Sequence, residues 1–105
     1  MKNTLMVCSG DPEVVWNAFR MGNLMLEQMD DVTIFLNGSA VRYASLASVT
    51  FPLIELAKLF TLSEGVLLAC GKLLDLHGVE AGYHQRAKQT DLYQLIVESD
   101  RLVTF

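Results

Sequence analysis

The side chains with most scope for chemistry are two thiols, Cys8 and Cys70, and two imidazoles, His77 and His84. Cys70 lies in the stretch LLACGKLLDLHG, Leu67 to Gly78, where an apolar run ends on the thiol and a short helical pattern follows. A thiol just before a helix meets unpaired backbone N–H groups and the positive end of the helix dipole. Both favour thiolate over thiol. Gly71 adds no side chain to shield those N–H groups, and Lys72 adds a positive charge. A thiolate held in this way is a nucleophile and can carry a second sulfur as a persulfide, whose anion the Gly71–Lys72 backbone would also stabilise. The plainer reading is a small hydrophobe at the end of a strand, since free cysteine is among the most often buried residues.

The other candidates are weaker. His77 lies seven residues beyond Cys70, about two helical turns or roughly 10 Å by rise, far for a direct base. As a cleft-lining group it competes with a simple role at a helix C-terminus. His84 falls in a polar stretch and is assigned to the surface. Ser9-Gly10-Asp11 opens a helix after a strand and can line a cleft or cradle an anion, but it has no GxGxxG or Walker pattern. No cofactor is expected. The Cys8–Cys70 separation fits no zinc spacing, there is no CxxC, and no metal is expected.

These groups are positioned by alternating strands and helices. Thr4 to Cys8 and Val32 to Leu36 read as strands buried on both faces. Between them Asp11-Pro12-Glu13 starts a helix by N-cap, first-turn proline and acidic first turn. That helix runs to near Asp30 with Val14, Ala18, Met21, Met25 and Met29 on its apolar stripe. Asn37-Gly38 is a turn, and Ser39 to Val49 holds a short helix. A clearer helix from Phe51-Pro52 places Leu53, Leu56, Ala57 and Phe60 on one side and ends at Ser63-Glu64-Gly65. Val66 to Cys70 is the third strand. Gly71 to His77 is a short helix with Gly78 at its C-cap. Tyr83 to Lys88 reads as a short edge strand. Thr90 or Asp91 caps a last helix, Leu92 to Ser99, with Leu92, Leu95 and Ile96 inward. Arg101 to Phe105 is the final strand. The pattern predicts one α/β domain spanning 1–105, a three-layer α/β/α sandwich on a mostly parallel five-stranded sheet of flavodoxin-like type. Functional groups in such sheets gather beyond the carboxyl ends of the strands, where both cysteines fall. If the first and third strands are neighbours, as in the flavodoxin-like order, Cys8 sits beside Cys70 as a second, resolving thiol; otherwise it is a core residue.

Composition bounds the rest. The 105 residues are 51% hydrophobic and 19% charged. A domain this small cannot bury so much apolar surface alone, which points to an oligomer. The net charge is -4, with eight basic residues and no basic run, so direct nucleic-acid binding is not expected. No stretch approaches the roughly 18 apolar residues of a membrane span, and no signal-peptide pattern opens the chain. The expected compartment is the cytoplasm, where a structural disulfide is disfavoured.

Taken in order, these features resemble the DsrE family of small sulfur-relay proteins, which includes DsrE and TusD. The resemblance rests on four segments. They are the opening strand with Ser9-Gly10-Asp11-Pro12, the strand-turn Val32 to Gly38, the segment Val66 to Gly78, and the ending Glu98-Ser-Asp-Arg-Leu-Val-Thr-Phe105. Its most specific element is Cys70 with Gly78 eight positions later. The resemblance implies that Cys70 carries sulfane sulfur as a persulfide, received from a donor protein and passed to an acceptor protein. It also implies a trimer or hexamer, homomeric or with related subunits. Many relatives have a second cysteine three residues after the first; here Leu73 stands there, and TusD-like members also lack that second cysteine. Some members lack the cysteine and act as structural subunits, so a non-catalytic oligomeric subunit or binding module with an inert Cys70 is the competing expectation.

Overall fold

The computed structural model describes residues 1–105. Five strands form one sheet: β1 (Lys2–Val7), β2 (Asp31–Leu36), β3 (Val66–Cys70), β4 (Gln85–Ala87) and β5 (Arg101–Thr104). All pair in parallel, in the order β4-β3-β2-β1-β5. The helices are α1 (Pro12–Glu27), α2 (Tyr43–Leu46), α3 (Leu53–Leu62), α4 (Gly71–Leu76) and α5 (Gln89–Glu98), with a 3-10 turn over Gly38–Arg42 before α2. No helix is long and apolar enough to cross a membrane.

Strand alternation divides the core. Leu5, Val7, Ile34, Leu36, Leu67 and Ala69 point to one face, where Val15, Ala18 and Phe19 of α1 and Leu53, Ala57 and Phe60 of α3 cover them. Burying each of the Val, Leu, Ile and Phe side chains among these contributes about 1.5–3 kcal/mol, and each alanine methyl less. The other face is thinner. There Phe35, Cys70 and Ala87 pack with Leu92 of α5, and Met6, Leu68 and Leu95 are only partly buried. The three-layer α/β/α arrangement thus holds with unequal outer layers.

Several elements depart in detail from the sequence expectation. Helix α1 stops at Glu27, capped by Gln28, and Met29 lies beyond it with positive φ. Its buried residues are Val15, Ala18, Phe19 and Gly22, while Met21 and Met29 are exposed. The stripe is rotated because Gly22 allows close approach: a Cβ there would stand 2.9 Å from Ile34 Cδ1 and 3.1 Å from Phe60 Cε1. Helix α5 starts earlier than expected, at Gln89, with Lys88 as its cap. The Lys88 N–H donates to Asp91 Oδ2 at 2.7 Å, so Asp91 serves from inside the first turn. Ile96, expected inward, is exposed.

Candidate functional site

Strand register sets the carboxyl edge of the sheet. Val7 is level with Leu36, Leu36 with Ala69, and Cys70 with Ala87. Cys70 is the last residue of β3 and the N-cap of α4, with φ -60 and ψ 117, and Gly71 is already helical. Its side chain makes no capping hydrogen bond to α4. It turns instead toward the α5 face, against Phe35, Ala87 and Leu92, and is 8% exposed.

Cys70 lines an open groove of about 670 Å³. Lys72 and Asp75 of α4 border it, with Arg86 and Ala87 of β4 and Lys88, Gln89 and Thr90 at the start of α5. The Arg86 guanidinium grips Asp75 at both oxygens, 3.0 and 3.1 Å, and donates to the Gly71 carbonyl at 3.2 Å. Those bonds hold the Asp75 carboxyl below the ordinary carboxylate range. A Cβ on Gly71 would lie 3.0 Å from Arg86 Nη2, so Gly71 makes room for this clamp. Lys72 and Lys88 are exposed and form no ion pair, which leaves their charge to the groove.

The remaining candidates lie elsewhere. His77 is the exposed C-cap of α4, and neither histidine lines the groove. Ser9 and Gly10 also lie outside it. Ser9 Oγ accepts the Asp11 N–H at 3.0 Å, and a Cβ on Gly10 would meet Ser39 Cβ at 2.7 Å, so this loop is shaped for packing. Asp11 Oδ1 already accepts the Glu13 N–H at 2.9 Å. An anion at the start of α1 would face that carboxylate.

Cys8 is exposed, just beyond β1, with its N–H donated to Phe105 O at 3.0 Å. The first and third strands are not neighbours, because β2 stands between them. Two strand spacings of about 4.8 Å separate the cysteine backbones, whereas a disulfide needs Cα atoms within about 7 Å. The resolving role expected from a flavodoxin-like neighbour relation therefore fails without backbone movement.

A second polar cluster was not anticipated. Tyr43, fully buried at the start of α2, bonds His84 Nδ1 at 2.9 Å and accepts the Tyr83 N–H at 3.0 Å. Gly82 makes this possible, since a Cβ there would lie 2.7 Å from the Tyr43 hydroxyl. His84, expected at the surface, is half-buried. The cluster anchors the segment leading into β4, and so places Arg86 and Ala87 beside Cys70. Arg86, Asp75 and Lys88 carry no motif, and only the β3–β4 pairing brings them together.

The five-stranded parallel sheet and its two-sided helical cover form a DsrE-like α/β fold. Among solved structures, the crystal structure of the ychN protein from E. coli is similar, with a TM-score of 0.87 over 100% of both chains at 21% identity. No protein-family model matches the chain, and no curated protein matches it in sequence.

Proposed function

We propose that the chain is a sulfur carrier that holds sulfane sulfur on Cys70 as a persulfide and passes it to a partner protein. The observation that carries this is the position of Cys70 at the end of β3, in an open groove with the uncommitted cations Lys72 and Lys88. The Cys70 thiolate attacks the outer sulfur of a persulfide R–S–SH, giving Cys70–S–SH and R–S⁻, with no net oxidation. Delivery is the same exchange in reverse, with an acceptor thiolate attacking the outer sulfur. Neither histidine lines the groove, so no imidazole stands beside Cys70 to take its proton, and solvent is the acceptor. The reading carries with it donor and acceptor proteins and a trimer or hexamer, homomeric or with related subunits. It also implies a cytoplasmic setting where thiols stay reduced.

The competing reading, a non-catalytic assembly subunit, is favoured by the packing of Cys70 against Phe35, Ala87 and Leu92. Incubation with a persulfide donor, followed by mass spectrometry, separates the two. The carrier should gain roughly 32 Da per sulfur, as expected of a nucleophilic thiolate, and Cys70→Ser should abolish the gain. An unmodified protein, or an adduct that survives Cys70→Ser, would leave the assembly subunit.

A further inference from the structure

Three of the eight basic residues, Lys72, Arg86 and Lys88, line the Cys70 groove in a chain of net charge -4, and Asp75 is the one acid among its lining residues. Asp75 is bound by Arg86, so the charge left for a ligand is that of Lys72 and Lys88. The groove's volume, about 670 Å³, lies within the roughly 300–1,000 Å³ of small-molecule sites. Cys70 is recessed, at 8% exposure, where a slim reagent reaches it more readily than a thiol on a flat protein surface. We infer that Cys70 is loaded by a low-molecular-weight persulfide bearing carboxylates, which Lys72 and Lys88 hold while its outer sulfur meets Sγ. This inference rests on the carrier reading and names the donor class for the same site.

Loading conserves atoms and electrons. The Cys70 S⁻ attacks the outer sulfur of R–S–SH, a new S–S bond forms as the donor's S–S bond breaks, R–S⁻ leaves, and Cys70–S–SH remains. The product also changes reach, because an S–S bond of about 2.05 Å adds a sulfur beyond the buried one. The outer sulfur then stands nearer the mouth of the groove, where the thiol of a protein acceptor can attack it. Small-molecule loading and protein delivery are therefore compatible with one recessed cysteine.

The test compares glutathione persulfide, which has two carboxylates, with cysteamine persulfide, which has an ammonium and none. The rate of sulfur addition to Cys70 is followed by quenched mass spectrometry, and the quantity read is the ratio of the two rates. At low salt the anionic donor should load about tenfold faster or more, the lower range of electrostatic steering. The ratio should fall toward one in about 0.5 M salt and in the exposed double variant Lys72→Gln/Lys88→Gln. The neutral reagent iodoacetamide, measured alongside, corrects for any change in the thiol itself. Loading by both donors with a ratio near or below one would overturn the inference and leave the carrier reading intact. A high ratio unchanged in the double variant would overturn the assignment to these lysines. Loading by neither donor would remove the carrier reading, and this inference with it.

Discussion

At the scale of single residues, His84 anchors the segment that leads into β4 and the groove. Burial, and then the nearby Arg86 charge, push the His84 imidazole below its ordinary value of 6.5. The folded state thus prefers neutral His84, whereas the unfolded chain takes up a proton at the ordinary value. Stability from this group is fully present above about pH 6.5 and is lost as pH falls from there through the folded value. Urea midpoints should therefore drop between pH 7.5 and 5.5, and His84→Asn should flatten that part of the profile. An equally steep drop in the variant would assign the acid sensitivity to other groups. The Tyr43 hydroxyl explains the selection of neutral His84 in geometric terms: it accepts from Tyr83 N–H, so its own proton is free for an unprotonated Nδ1.

At the scale of elements, the contact of α1 with β2 and α3 turns on Gly22. Alanine there would gain about 1 kcal/mol in helix propensity. It would also put a methyl 2.9 Å from Ile34 and 3.1 Å from Phe60, and overpacking of this kind costs about 1–3 kcal/mol. The second effect wins, so Gly22→Ala should lower stability by about 1 kcal/mol in chemical denaturation; an increase would show that α1 can shift outward freely. Gly22 also lies beyond the reach of any local sequence pattern. The doubly apolar strands Val32–Leu36 and Val66–Cys70, and the start signal Asp11-Pro12-Glu13, were legible because each is a local pattern. The phase of α1 was not, because methionines at helical spacing look more core-like than a glycine whose value lies in its missing side chain. Cys70, Gly71 and Lys72 were legible as one junction. Arg86, Asp75 and Lys88 were not, because β4 must pair with β3 before they share a groove. The strand order likewise decided against a Cys8 partner, which no local pattern could reveal.

At the scale of the whole molecule, the apolar excess of the composition is visible on the surface. Leu24 of α1 and Leu59 and Leu62 of α3 are about half exposed or more, and so are Ile96 and Val97 of α5. Exposed apolar surface of this extent favours association. Light scattering should give a mass that is a multiple of the 11.7 kDa chain, and a value equal to one chain would show that this surface remains in water. The sheet has a further consequence through its last pairing. β5 joins β1 between Asn3–Arg101 and Met6–Thr104, and the Lys2 N–H reaches Asp100 Oδ2 across 98 positions. At roughly 5–20 residues per second, ribosomal synthesis places about 5–20 s between the first strand and its final neighbour. For that interval the nascent β1 has an open edge beside apolar Leu5, Met6 and Val7, the kind of edge that templates unwanted pairing. The hazard falls during translation, before the last strand exists, so chaperone demand should follow elongation speed more closely than the stability of the finished fold.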